Sequence, residues 1–397
     1  MNVREIIGRR RTLFVDDVAA HGGEIDDAIR GARVLVLGGA GSIGKEVVLQ
    51  LFRRNPAALH VIDISENNLV ELVRDLRSSI GYSSGETRFL PLDMGGLEAK
   101  AFLGSQPPYH YVVNLAAMKH VRSEKDAYSL MRMIKVNVLD TLATLDFARA
   151  HGAKKYFAVS TDKAKNPANL MGATKRIMED ILFETDGTAH VSTARFANVA
   201  FSDGSLLHGF RQRLMRQQPL SAPRDVRRYF LTGEEAGLLC ISSLVLGTQR
   251  EIFFPHADAD LDALTFSEIA VRFLVAHGYQ AVEVESEEEA RHGVATMSAE
   301  GKWPCHFFDS DTAGEKPIEE FYSASDDVDW KRFADIGVIK APTLSSTDRG
   351  RAQKFLATIA AKREAGTWNK AELVDAIQTA CPELSHVVSE RSLDDKM

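Results

Sequence analysis

Cysteine is scarce in this chain: Cys240, Cys305 and Cys381 are the three in 397 residues, far apart and without a CxxC pair. That spacing excludes a disulfide framework, offers no zinc ligand set, and suits a reducing compartment. No apolar run approaches the ~20 residues that a membrane helix requires. The opening MNVREIIGRRRTLF is charged and lacks the apolar stretch of a signal peptide, so a cytoplasmic protein with no membrane partner is expected. Clustered positive charge is also missing. The net charge is −7, and the short runs Arg9-Arg10-Arg11 and 224–228 do not make a basic face, so nucleic acid is not an expected partner. No internal repeat is present.

What the chain does have is alternation. Apolar strand-like runs at 33–38, 59–63, 87–92, 111–115, 155–159 and 190–196 are separated by helical patterns such as 43–53, 68–80, 127–151 and 170–184. Continuous rather than alternating apolar strands suit a sheet buried on both faces. The expected fold is therefore α/β, a doubly wound parallel sheet of Rossmann type with a smaller C-terminal substrate-binding lobe. The expected division is a helical extension over 1–30, a dinucleotide domain over 31–200 with 228–255 returning to it, and the lobe over 201–227 and 256–345. A helical tail over 346–397 completes it. Residues 280–300 (with VEVESEEEA) read as an exposed acidic segment.

Directly after the first strand comes Gly38-Gly39-Ala40-Gly41-Ser42-Ile43-Gly44, a GxxGxxG turn opening a helix. Such glycines permit a tight turn and close approach of backbone to a pyrophosphate at the helix N-terminus. Asp63 ends the second strand, where a carboxylate accepts from an adenosine ribose and repels a 2′-phosphate. No arginine follows it in Ile64-Ser65-Glu66-Asn67-Asn68, so NAD is favoured over NADP. Asp93-Met94 ends the third strand, at the adenine. Asn114-Leu115-Ala116-Ala117 ends the fourth, where small residues let a cofactor lie against the sheet.

The fifth strand runs into Ser160-Thr161-Asp162-Lys163-Ala164-Lys165-Asn166-Pro167, followed by Asn169 and Met171-Gly172-Ala173-Thr174-Lys175. Met171 and Lys175 lie four apart at the head of a helix and share a face. Here the chain resembles the NDP-N-acetylglucosamine 4,6-dehydratases of the extended short-chain dehydrogenase/reductase superfamily, a polysaccharide-biosynthesis family whose members carry STDKAxNPxNxMGxxK after the fifth strand. Further matches follow in order: 116–121 (AAMKHV), Asn137, 195–199 (RFANV), Gly204-Ser205, 228–232 (RYFLT) and Gly314-Glu315-Lys316. The closing stretch is most similar to the soluble subgroup serving legionaminic-acid biosynthesis.

The resemblance implies a tightly held NAD, a nucleotide-linked N-acetylglucosamine substrate (UDP or GDP left open) and dehydration through a transient 4-ketone. It implies Lys163 as the base at C5, Asp162 as the acid for the departing 6-hydroxyl, and Lys175 at the nicotinamide ribose. Most short-chain dehydrogenases place a tyrosine where this chain has Met171, so the 4-hydroxyl must lose its proton to Thr161 with a relay or to a neighbouring lysine. Lys119, His120, Arg195, Asn198, Ser205, Arg228, Glu315 and Lys316 are the expected substrate contacts; the related Arg-Pro before Gly-Glu-Lys is Thr312-Ala313 here. No metal is implied. Burial and nearby cations are expected to push Lys163 down from the ordinary lysine value near 10.4. A homo-oligomer is expected through the helices 127–151 and 170–184. The competing readings are a sugar-nucleotide epimerase using the same 4-ketone and a non-catalytic NAD sensor, the latter suggested by Met171.

Overall fold

A computed structural model describes residues 2–184, 187, 189–256, 261–310, 316 and 318–385. Nine strands build the main sheet: β1 (Arg33–Leu37), β2 (Ala58–Asp63), β3 (Glu86–Pro91), β4 (Tyr111–Asn114), β5 (Lys155–Thr161), β6 (His190–Phe196), β7 (Glu251–Pro255), β8 (Val328–Asp329) and β9 (Ile336–Lys340). Their spatial order is β8-β9-β7-β6-β5-β4-β1-β2-β3. The pairings from β3 through β7 are parallel, and β9 and β8 add antiparallel. Val34 to Leu37, Val112 and Phe157 are fully buried, as strands covered on both faces require.

The chain order reverses between β1 and β4. Leu37 stands opposite both Ile62 and Asn114, so the carboxyl ends of these strands line one crevice, the place where ligands bind in open α/β sheets. The covering helices are α1 (Ser42–Phe52), α2 (Glu66–Ser79), α3 (Leu97–Gly104), α4 (Ala127–Ile134), α5 (Asp140–Ala150), α6 (Leu170–Glu184) and α7 (Gly233–Leu246). The 127–151 helix expected as one rod is interrupted: Lys135–Leu139 forms a π-helical turn between α4 and α5. Its extra residue turns Asn137 inward, a recurrent use of such bulges at functional sites.

One element departs from the sequence expectation, and two carry more structure than the sequence showed. Residues 328–340, assigned to the smaller lobe, are edge strands of the main sheet, because the buried run IGVIK pairs with β7. Residues 280–300 are exposed over most of their length and are also regular. Gln280–Glu283 joins a parallel three-stranded sheet with Lys302–Phe308 and Leu220–Pro223, and Glu287–Ala299 is a helix that buries only Ala290 and Val294. The N-terminal stretch is a staple: Ile6 and Ile7 enter the lobe's core with Phe210, Phe273 and Trp303, while Leu13, Phe14 and Ile25 enter the main core. Arg9 pairs with buried Glu235 at 2.8 Å and Arg11 with Asp335 at 2.6 Å.

The C-terminal helices α8 (Ser346–Ala365) and α9 (Lys370–Ala380) turn at Gly366, whose φ of 68° favours glycine. Phe355, Ile359, Leu373 and Ile377 form a third apolar core with Leu130, Ile134, Ile177 and Ile181. Trp368 Nε1 donates to the Ala127 carbonyl at 3.1 Å. The chain's own hairpin thus packs on one face of α4 and one face of α6. No helix among the described residues is long and apolar enough to cross a membrane.

Candidate active site

The glycine turn shows which glycines the protein itself demands. Gly38 has φ 74°, and a Cβ there would lie 2.5 Å from the Ala116 amide; a Cβ at Gly44 would lie 2.3 Å from the Gly38 carbonyl. A Cβ at Gly41 would meet nothing closer than 3.6 Å. Gly41 is also the N-cap of α1 and supplies no side-chain cap, leaving the first-turn amides for another acceptor. A bare helix start beside an uncrowded glycine is a cradle that fits a pyrophosphate.

Asp63 closes the turn from below. Its Oδ2 accepts the Ala40 amide and its Oδ1 the Ser65 amide, both at 2.9 Å, so the carboxylate is held at the crevice rim with lone pairs to spare for a ribose. Asp93 Oδ1 accepts the Gly95 amide at 3.0 Å, and Met94 beside it is buried. Ala116 and Ala117 pack partly buried at the end of β4, and Ile43 packs on the same core. Asn137 fixes the next segment, accepting the Met118 amide at 2.9 Å and donating to the Met118 carbonyl at 3.0 Å and to Thr174 at 3.1 Å. Ser42, expected at the cofactor, exchanges hydrogen bonds with Asp203: its Oγ donates to Oδ2 at 2.9 Å and accepts the Asp203 amide at 2.8 Å.

The strand end of β5 carries a buried cluster of ionisable side chains. Asp162 is 2% exposed, and its Oδ1 accepts from Thr161 Oγ1 at 2.9 Å and from Lys163 Nζ at 3.2 Å. Lys163 Nζ also stands 3.5 Å from Glu319 Oε1, which in turn lies 3.9 Å from Arg228 NH2. Glu319 is 5% exposed. The downward shift expected for Lys163 is corrected here. Burial does push its ammonium down, but the Asp162 and Glu319 carboxylates outweigh it, and the net direction is upward. Burial pushes the Glu319 carboxyl up, against Lys163. Sequence reasoning missed Glu319; its one signal was an acid pair beside Lys316, in a segment far from the glycine turn.

Lys175 is buried and donates to the Val159 carbonyl at 3.0 Å, and burial lowers it to about 8. Met171, four residues earlier, packs into the apolar core under the hairpin, so no proton passes through that position. Its amide donates to Glu124 Oε1 at 2.7 Å.

The expected substrate contacts separate into groups. Arg195 is spent elsewhere: it grips Glu179 and the Phe321 carbonyl, inside the protein. A direct contact from Arg195 to substrate is therefore corrected to a supporting role. Ser205 caps the helix Leu206–Met215, accepting the His208 amide at 3.1 Å. Lys119 Nζ donates to Ser202 at 3.2 Å, and His120 sits under Gly204, where a Cβ would come within 2.7 Å of its ring. Arg228 NH1 donates to the Lys316 carbonyl, and Lys316 Nζ to the Lys165 carbonyl at 3.0 Å. Asn198 Nδ2 is enclosed without a hydrogen-bond partner among the described residues, an unmet donor of the kind a bound sugar or phosphate would satisfy. Glu315 lies outside the described residues, as do Thr312 and Ala313.

A family model described as polysaccharide biosynthesis protein matches residues 34–340. An uncharacterised membrane protein of Methanocaldococcus jannaschii is 30% identical over 66% of this chain and 78% of its own length. The probable polysaccharide biosynthesis protein EpsC of Bacillus subtilis is 30% identical over 58% of this chain, which spans only 38% of that relative. A UDP-N-acetylglucosamine 4,6-dehydratase (inverting) of Campylobacter jejuni is 29% identical over 57% of this chain and 67% of its length. Among solved structures, DesIV, a dTDP-glucose 4,6-dehydratase of Streptomyces venezuelae with NAD and TYD bound, superposes with a TM-score of 0.56 at 19% identity, over 84% of this chain and 97% of the other. Pen of Bacillus thuringiensis reaches 0.63 at 20% identity, over 79% and 89%.

Proposed function

Because the chain belongs to the polysaccharide biosynthesis protein family, we propose that it is a 4,6-dehydratase of a nucleotide-linked N-acetylglucosamine, with NAD as its resident cofactor. The carrying observation is the cluster of Thr161, Asp162 and Lys163 at the carboxyl end of β5, the strand beside β4. A 4-epimerase needs no acid and base at C5 and C6, so this cluster favours dehydration over the epimerase reading.

The residues around the glycine turn fit a dinucleotide: α1 amides for the pyrophosphate, Asp63 for the adenosine ribose, Asp93-Met94 beside the adenine and Lys175 for the nicotinamide ribose. Bound NAD would accept hydride from C4 and return it to C6. The 4-ketone acidifies the C5 proton, which Lys163 removes in its neutral form. Thr161, which donates to the Asp162 carboxylate, is placed to pass the 4-hydroxyl proton to it in place of a tyrosine, and Asp162 gives that proton to the 6-hydroxyl as it leaves as water. Lys163 returns its proton to C5 as hydride reaches C6. Asn198 and Arg228 would hold the sugar nucleotide, and Glu315 completes the expected set of contacts. UDP and GDP carriers are both compatible. Legionaminic acid is the proposed downstream glycan, a homo-oligomer the proposed assembly and the cytoplasm the proposed compartment.

The test is incubation with UDP- and GDP-N-acetylglucosamine and mass analysis of the product. Loss of one water supports dehydration; an isomer of unchanged mass supports the epimerase, and NAD binding without turnover the sensor. Asp162→Asn and Lys163→Met should each abolish product while NAD still binds.

A further inference from the structure

Lys163 is the group asked to act as a base, yet it sits between two carboxylates, with Asp162 Oδ1 at 3.2 Å and Glu319 Oε1 at 3.5 Å. A lysine must be neutral before it takes a proton. Release to solvent is poorly served here, because the Lys163 side chain is only 20% exposed and the two carboxylates hold its charge. The two acids are not equivalent. Asp162 Oδ1 already accepts from Thr161 as well as from the lysine. Glu319 comes from the opposite wall, on the segment that returns from the smaller lobe, and is enclosed between Lys163 and Arg228.

We propose that Glu319 is the proton partner of Lys163: it takes the ammonium proton to make the neutral base, holds it while Lys163 removes the C5 proton, and returns it once Lys163 has given that proton back to C5. The step balances within the pair. One N–H bond of Lys163 breaks and one O–H bond of Glu319 forms, converting ammonium and carboxylate into amine and carboxylic acid with no change in net charge. Two opposite charges are thereby removed from a buried site, which offsets part of the lost attraction. Burial, which raises the Glu319 carboxyl, acts in the same direction. Glu319 is thus a positioning residue, acting on the substrate only through Lys163. The proposal rests on the dehydratase reading.

Internal transfer makes the supply of neutral lysine independent of solvent pH over the range where both protons stay within the pair. Glu319→Gln removes the acceptor, so Lys163 must then lose its proton to solvent. The experiment follows exchange of the C5 proton for deuterium in holoenzyme with UDP- or GDP-N-acetylglucosamine, from pH 6 to 9, beside the absorbance of reduced nicotinamide. Expected is a nearly flat wild-type profile and, in E319Q, exchange that falls about tenfold per pH unit on the acid side. The deficit near pH 6 should be at least about a hundredfold, the usual scale of a lost base, with recovery toward pH 9 and reduced nicotinamide still forming. Glu319→Asp, which keeps a carboxyl, should regain part of the flat profile. An E319Q profile parallel to wild type overturns the proposal. So does loss of exchange at every pH together with a lower melting temperature or lost NAD affinity, which would make Glu319 structural. A wild-type enzyme that leaves both sugar nucleotides unchanged defeats the dehydratase reading itself, and the proposal with it.

Discussion

Arg195 on β6 grips Glu179 on α6 with two prongs, Nε to Oε1 at 3.0 Å and NH2 to Oε2 at 2.6 Å, and Ser160 Oγ donates to the same Oε1 at 2.6 Å. All three residues are buried, and they lock α6 to the strand ends that present Thr161 and Asp162. Burial works against the Glu179 charge, but Arg195 outweighs it and holds the carboxyl below the ordinary carboxylate range. Arg195→Ala should therefore cost about 3–5 kcal/mol by stranding a buried charge. Because the folded-state carboxyl is depressed, the stability from this pair is present above the ordinary glutamate value near 4.3 and is lost as pH falls further. Urea unfolding at pH 7 and pH 4 checks both statements. Unchanged stability with weakened substrate binding would return Arg195 to the substrate.

Gly41 and Gly44 should respond in opposite ways to alanine. Gly44→Ala drives a Cβ to 2.3 Å from a backbone carbonyl, whereas Gly41→Ala makes only an ordinary van der Waals contact, 3.6 Å from the Gly38 carbonyl. The expected outcome for Gly44→Ala is destabilisation by about 1–3 kcal/mol from overpacking. For Gly41→Ala it is a melting temperature near wild type with NAD affinity down at least about tenfold, roughly 1.4 kcal/mol. Thermal melts and NAD titration of the two variants separate the roles.

Glu124 caps the start of α6 from a buried position, accepting the Met171 amide, and burial raises its carboxyl to about 7 despite that hydrogen bond. A raised acid stabilises the fold most when protonated. Its contribution is full below the unfolded value near 4.3 and is lost as pH rises to about 7. Glu124→Gln keeps the acceptor without the charge. Relative to wild type it should gain on the order of 3 kcal/mol between pH 4 and pH 8. Denaturation midpoints at those two pH values decide it, and a constant difference between the proteins would contradict the assignment.

The apolar faces of α4 and α6 are filled by the chain's own α8–α9 hairpin. Phe355→Ala removes a ring from that contact and should cost about 3–5 kcal/mol. Thermal unfolding measures it. A change below about 1 kcal/mol would show that the hairpin does not dock there in solution.

The sequence carried the local parts of this molecule well. The turn from Gly38 to Gly44, Asp63 at a strand end and the Thr161-Asp162-Lys163 run are each short motifs whose geometry is set by adjacent residues. What escaped was set by distance along the chain. Glu319 meets Lys163 only because the segment after the lobe returns over β5, and nothing in its neighbours encodes that. Arg195 read as a ligand because a strand-end arginine looks the same whether it faces a substrate or a buried Glu179. The upward shift of Lys163 was missed for the same reason, since its second carboxylate, Glu319, was not in view. The π-helical turn at Lys135–Leu139 left an unbroken helical pattern in the sequence, and the hairpin's target could not be read from amphipathic helices alone.

The most direct test follows one hydrogen atom. UDP- or GDP-N-acetylglucosamine carrying deuterium at C4 is converted, and the product is examined by NMR. The account predicts a 4-keto-6-deoxy sugar with that deuterium at C6, carried there within a single turnover. Deuterium still at C4 of an epimerised sugar, or lost to solvent, would contradict it.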